Sequence, residues 1–270
     1  MCMNNQDIKR CREFISFCNH VEPGSINARI ADSVLSRVHD LNDLTLDSVA
    51  RGADVSVPSA SRFFRKAGFS SFSEFRILFP AYMELLRNLR HSLTASERMP
   101  DQVGILQEAY ELYRRNLEAT FRELDMDALK EVAEMMMSAS RVYIIGEPSD
   151  LQVSFQLQMD LLFRGVASIQ CDIAESETIL KMPVDEDAVC VFVTVYSDWY
   201  VDELVSLAAS ARSKGSATVL FHQDTVYEDE PFTKKIQYGS GSSIMGGFAS
   251  VCLIIRILCN MIAGSPLKNS

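Results

Sequence analysis

Between Leu44 and Phe69 the apolar positions fall into two short helical registers separated by a polar turn. Leu46, Val49, Ala50 and Ala53 stand at i, i+3, i+4 and i+7, which puts four apolar side chains on one helical face. Ala60, Phe63, Phe64 and Ala67 repeat the spacing, and Pro58, Ser61, Arg62 and Arg65 form the opposite stripe. The pattern predicts one helix from Thr45, its N-cap, to Ala53, and a second capped by Ser56 with Pro58 in its first turn. Asp54 falls where the chain turns sharply, and Asp enters the left-handed region at tolerable cost. Gly68 suits a left-handed C-cap, with Phe69 as the hydrophobic contact beyond it.

A small residue at the fifth position, a turn four residues later and a polar second helix make a helix-turn-helix pattern, whose second helix enters the DNA major groove. Ser59, Ser61 and Arg62 then reach base edges, Arg65 and Lys66 reach phosphates, and Ser56 caps the reader helix. The competing reading is a plain helical hairpin with a solvated basic face. Ser25 to Asp40 adds a preceding helix, with Ile26, Ile30, Val34 and Val38 at i+4 steps. Residues 1–24 form a further amphipathic piece, with Ile8, Cys11, Phe14, Ile15 and Cys18 at helical spacing, either packed on the domain or lengthening a dimer contact.

The run from Ile30 through Phe79 resembles the N-terminal domain of the RpiR/MurR family of bacterial transcriptional regulators. It keeps Val55-Ser56, Arg62-Phe63, Arg65-Lys66 and Gly68-Phe69, then Phe72, Glu74 and Phe75. It departs at Asp54, where the family has a turn glycine, and at Ala67, where it has leucine. The resemblance implies a double-stranded DNA operator as partner; the expected working form is a homodimer or homotetramer.

After Pro80, Ala81 to Leu93 reads as helical, and Thr94 to Asp101 is the best linker in the chain. A boundary near residue 97 gives two domains: an all-α helix-turn-helix domain over 1–97 and an α/β domain over 98–270. In the second, helices are expected at Ile105 to Leu124, Met126 to Ser138, 151–164 and 201–214. Apolar, β-branched runs at Val142 to Ile145, Val166 to Gln170, Val189 to Val195 and Ala217 to Phe221 read as strands. Strand alternating with helix predicts a parallel sheet flanked by helices, with ligands beyond the carboxyl ends of the strands.

The loops after the first and third strands, Gly146-Glu147-Pro148-Ser149-Asp150 and Tyr196-Ser197-Asp198-Trp199-Tyr200, resemble in position those of the sugar isomerase (SIS) domain, the usual partner of an RpiR-type head. There G-x-G-x-S and S-x-S-G-x-T loops cradle a sugar phosphate, so the resemblance implies a small-molecule effector, a sugar phosphate or related carbohydrate derivative. Gly146 and Ser197 match; Ser149 stands one residue from the displaced hydroxyl, and Gly146, Ser149, Ser197 and Tyr200 are the candidate ligand residues. Pro148 replaces a glycine, Asp150 stands near the family serine, and Val195, Asp198 and Tyr200 replace serine, glycine and threonine. Glu147, Asp150 and Asp198 would face a dianion with carboxylates. The alternatives are a neutral or cationic ligand held partly by Trp199 and Tyr200, or a domain that only dimerises.

A net charge of −10 over 270 residues argues against nucleic acid only until the halves are separated. Residues 1–98 carry 13 Lys+Arg against 11 Asp+Glu, and the acidity lies beyond them. Such a head needs a second copy to double its phosphate contacts. Seven cysteines without a C-x-x-C pair point to free thiols in the cytoplasm, with no zinc and no cofactor. The N-terminus is too polar for a signal peptide. A sugar-phosphate isomerase is the alternative function, with His222, Glu175 and Glu177 as its acid–base candidates. Ile244 to Ala263 approaches membrane-span length, but Arg256 near its middle favours a buried terminal helix, contributing with 105–124 to a dimer interface and not to a membrane.

Overall fold

The structure is a computed structural model and describes residues 3–93, 102–175, 179–195, 201–223, 231–239 and 244–265. The chain divides into two compact units, Met1–Ala95 and Ser96–Ser270.

The first unit is helical: α1 (Asn5–Asn19), α2 (Ile26–Leu35), a 3-10 segment Val38–Asp43, α3 (Leu46–Gly52), α4 (Val57–Lys66) and α5 (Phe72–Leu93). The helix expected over Ser25 to Asp40 ends early, at Leu35. Successive i+4 steps drift by about 40° around a helix, so Ile26 and Val38 cannot share the face that buries Ile30 and Val34. Ile26 is accordingly exposed, and the chain tightens into the 3-10 segment that buries Leu41. Arg37 fastens this corner: its Nε donates to Ser33 O at 2.9 Å and its Nη2 to Ser48 O at 3.0 Å. The expected start of a helix after Pro80 is also corrected, because α5 runs unbroken through Pro80. Proline costs the bond to the carbonyl of Arg76, a residue on the exposed side of the helix, while Phe75, Leu78, Phe79 and Tyr82 hold both halves in the core.

Phe14 of α1 lies at the centre of that core. Its ring centroid is 4.9 Å from those of Phe75 and Phe79, 5.9 Å from Phe69 and 6.2 Å from Phe63. Glu74 joins the same helices at the surface, accepting from Arg10 Nη1 at 2.6 Å and from Ser70 N at 2.6 Å. The N-terminal helix therefore packs on its own domain.

The second unit contains α6 (Gln102–Glu123), α7 (Met126–Ser138), β1 (Arg141–Gly146), α8 (Pro148–Phe163), β2 (Ala167–Asp172), a 3-10 turn Ile173–Glu175, β3 (Ala188–Val193), α9 (Val201–Ser213), β4 (Ala217–His222), β5 (Lys234–Gln237) and α10 (Ile244–Gly264). The five strands are parallel, in the order β2-β1-β3-β4-β5. One face, with Val142, Ile144, Val191 and Val219, is covered by α7, α8 and α10; the other, with Tyr143, Cys190, Phe192 and Leu220, by α9. The strand β5 was not anticipated, because Lys-Lys-Ile-Gln is short and half charged. That composition suits an edge strand, where lysines deter pairing with another chain.

The terminal helix α10 sends Val251, Ile254, Ile255, Leu258 and Ile262 into its own sheet, which explains a mean hydropathy of 1.9 over Gly247–Gly264 without a membrane. The large unpartnered apolar face belongs instead to α6. Leu106, Tyr110, Tyr113 and Phe121 are exposed along it, and Tyr110, Tyr113 and Phe121 line a shallow groove with Leu117 and Leu253.

Candidate functional site

Two regions carry chemistry, one in each unit. In the first, the turn between α3 and α4 is closed by two backbone bonds, Asp54 N to Arg51 O at 3.2 Å and Val55 N to Ala50 O at 3.0 Å. Asp54 takes φ 51°, the left-handed value that such a closure demands. The end of α4 repeats the device, with Gly68 N bonded to Arg65 O, Phe69 N to Phe64 O, and Gly68 at φ 94°. A Cβ at Gly52 would come within 2.6 Å of both Ser33 Oγ and Arg37 Nη2, so the glycine leaves room for these two side chains against α3.

These constraints fix which side of α4 faces out. Ala60, Phe63 and Phe64 are buried, and Ser56, Arg62, Arg65 and Lys66 are exposed, with Ser59 and Ser61 half-buried beside them. Ser56 caps the helix by accepting from Ser59 N, and its Oγ lies 2.9 Å from Ser59 Oγ. Arg62 Nη2 donates to Ser59 Oγ at 3.1 Å. The six candidate DNA residues thus run from the N-cap to the last residue of α4 around its solvent side, with the Arg62 guanidinium held along the helix by Ser59. The apolar pattern alone passes over Val57, which is 38% exposed in the first turn of α4. Nothing in its residue type distinguishes it from a core valine; only its position at the helix start does.

In the second unit, the strand order reverses between β1 and β3, which makes their carboxyl ends the expected ligand edge. Gly146 ends β1 opposite Val193. A Cβ on Gly146 would lie 2.8 Å from Val193 O and 3.1 Å from Asp150 Cβ, so glycine is required for Asp150 to fold back there. Asp150 is 1% exposed; its Oδ2 accepts from Glu147 N at 3.3 Å, and the two residues form a reciprocal capping box at the start of α8. Ser149 belongs to the first turn of α8, and its side chain lies outside the described residues. Ser197 and Tyr200, with Asp198 and Trp199, also lie outside them. Of the four candidate ligand residues, only Gly146 is therefore fully placed.

The acid–base candidates are not brought together. His222 is buried at the end of β4, and Glu175 is exposed after β2, three strand positions or about 14 Å away across the sheet. Glu177 lies outside the described residues. The described cysteines are free, and burial pushes the thiols of Cys11, Cys18 and Cys259 up to about 12 and those of Cys171 and Cys190 up to about 11, far from nucleophilic readiness. Among the described residues no group of three His, Cys, Asp or Glu side chains could hold a metal ion.

Residues 25–84 match the family model described as the helix-turn-helix domain of the rpiR family. An uncharacterised helix-turn-helix transcriptional regulator of Haemophilus influenzae is 28% identical over 120 residues, covering 44% of this chain and 42% of the relative. The chain thus spans less than half of that relative's length. The regulator HexR of Pseudomonas aeruginosa is 22% identical over 200 residues, covering 71% of this chain and 66% of its own. Among solved structures, Vibrio vulnificus NanR, complexed with ManNAc-6P, shows 18% identity with a TM-score of 0.47, covering 94% of this chain and 90% of that one.

Proposed function

We propose that this chain, a transcriptional regulator whose helix-turn-helix domain belongs to the rpiR family, reads an operator as a homodimer under the control of a carbohydrate-derived effector at its SIS-type sheet unit. The observation that carries the reading is the solvent side of α4, where Arg62 is exposed and bonded to Ser59, with Ser61 half-buried, over a buried Phe63-Phe64 anchor. Arg62 reads a base edge, Arg65 and Lys66 hold phosphates, and Val57 is set to meet a thymine methyl group. Acting on chromosomal DNA places the protein in the cytoplasm. Selection of duplexes from a random pool, followed by fluorescence anisotropy on the winners, tests this reading; the expected outcome is a two-half-site operator bound with steep salt dependence. Turnover of a sugar phosphate without any selected DNA would reverse it in favour of an isomerase.

The second copy is expected along α6. Leu106, Tyr110, Tyr113, Leu117 and Phe121 recur at helical spacing over about 22 Å, a self-complementary stripe of the kind that a two-fold axis pairs with itself. Arg114 beside it is already paired, with Glu111 at 2.6 Å and Glu118 at 2.7 Å, so the stripe closes without stranding a charge. Phe121→Asp, at a position 85% exposed in the single chain, should leave the fold intact. It should convert the dimer to a monomer in gel filtration with multi-angle scattering and weaken operator binding with it; an unchanged mass would remove α6 from the interface.

A further inference from the structure

We infer that the carboxyl edge of the sheet turns away phosphate and takes an uncharged, hydroxyl-bearing effector; this rests on the reading of the second unit as an effector domain. The start of a long helix beside a strand-order reversal is where an anion would be received, by free N–H groups and the helix dipole. In this chain α8 has that position and 16 residues, but its capping box uses first-turn donors internally. Pro148 contributes no N–H. Glu147 and Asp150 cap one another, and Asp150 lies buried over Gly146 at the end of β1, with Ser154 Oγ donating to its carbonyl at 2.9 Å. The chain's own carboxylates stand where a phosphate would have to sit. A dianion forced to contact distance of both loses at least about a hundredfold in affinity at the dielectric of a partly screened cleft.

Two to three strand positions along the same edge, about 10–14 Å from the end of β1, groups of neutral chemistry are left with capacity. Asn116 Oδ1 on α6, Gln223 Nε2 just beyond β4 and Ser250 Oγ on α10 are buried without a hydrogen-bond partner among the described residues. They converge on Gly239, just beyond β5: a Cβ there would lie 2.9 Å from Gln223 Nε2, 3.1 Å from Asn116 Oδ1 and 3.7 Å from Ser250 Oγ. One donor, one acceptor and one group that is either complement a hydroxyl, of a sugar or of a trapped water. The cluster connects to the β3 loop, because Tyr238 donates its hydroxyl to Thr194 O, and to α6, because Gly239 N donates to Thr120 Oγ1 at 2.9 Å. Asn116 Nδ2 is already used, donating to Leu112 O at 3.1 Å, but a buried amide atom with no partner is costly, and a ligand hydroxyl that satisfies it gains specificity from that cost.

The test is thermal unfolding of the full chain with inorganic phosphate, with hexose and hexosamine phosphates, and with their dephosphorylated parents. The proteins compared are wild type, Glu147→Gln/Asp150→Asn and Asn116→Leu. The amide pair keeps the capping shape and removes both charges; the two single variants stand in if the double variant does not fold. Expected are a wild type indifferent to every phosphate, a double variant that gains at least about tenfold in affinity for them, and a response to one or more free sugars that Asn116→Leu abolishes. A sugar response that survives Asn116→Leu would assign the cluster to water and overturn its role in recognition. A wild type stabilised by phosphates, or a double variant as indifferent to them as wild type, would overturn the inference. Indifference of all proteins to both classes would overturn it together with the effector reading, whereas operator binding, followed in parallel, tests the DNA reading separately.

Discussion

Arg62→Ala is expected to lose operator binding by about tenfold or more per recognition helix, and by about a hundredfold or more for a dimer on two half-sites, because a bidentate base contact is worth about 1–3 kcal/mol. The side chain is exposed and its described hydrogen bond goes to Ser59 Oγ, so its removal costs the fold little. The scattering mass should not change. Arg65→Ala and Lys66→Ala supply the contrast: they should weaken all duplexes alike and flatten the salt dependence by about one unit of slope for each phosphate that is no longer neutralised. Operator affinity that survives Arg62→Ala while the salt slope falls would mean that α4 touches backbone only, and the assignment of its face would be wrong.

Why the candidate DNA face was legible and the candidate effector edge was not follows from how each is encoded. The α3–α4 pair is local: Thr45, Ser56, Pro58 and Gly68 each act within a turn of their own position, and the apolar stripe names the buried side without any distant contact. Both caps and both boundaries therefore appear where the residues put them. The strands were visible for a similar reason, since runs such as Val189 to Val195 are buried on both faces and need no alternation to be recognised. What failed was long-range. The i+4 ladder from Ile26 to Val38 looked continuous until Leu41 and Arg37 competed for the same corner, and Pro80 looked like a break until Phe75 and Phe79 on one side and Tyr82 on the other were seen to share a core. Asp150 was legible as a carboxylate in the wrong loop. Its burial over Gly146, and its role as a cap and not as a ligand, depend on the Val193 carbonyl from a strand more than forty residues away in sequence.

The Asn116–Gln223–Ser250 cluster had no sequence signal at all. Its members come from α6, the end of β4 and α10, with Asn116 more than a hundred residues before the other two, and each is an ordinary polar residue in its own segment. Charge, in contrast, was informative once divided: the acidic excess beyond residue 98 is the same bias that places Glu147 and Asp150 at the start of α8.

Phe14→Ala should have the largest effect on stability. The residue is fully buried, and its ring contacts those of Phe63, Phe69, Phe75 and Phe79, drawn from α4, the turn after it and α5. Truncating a buried phenylalanine costs about 3–5 kcal/mol. A domain has only about 5–15 kcal/mol to lose, and each kcal/mol moves the midpoint of one this size by about 4–8 °C. The first unit should therefore melt at least about 12 °C lower, while the transition of the sheet unit, which has a core of its own, stays in place. Operator binding should fail on warming at the new midpoint and recover on cooling. This separates the two roles left open for residues 1–24: if α1 were a dimer arm laid on a complete domain, Phe14→Ala would lower the scattering mass and leave the melting of the isolated head unchanged. The ring at the centre of the head's aromatic core predicts the reverse, an unchanged mass and a head that no longer holds α4 in position.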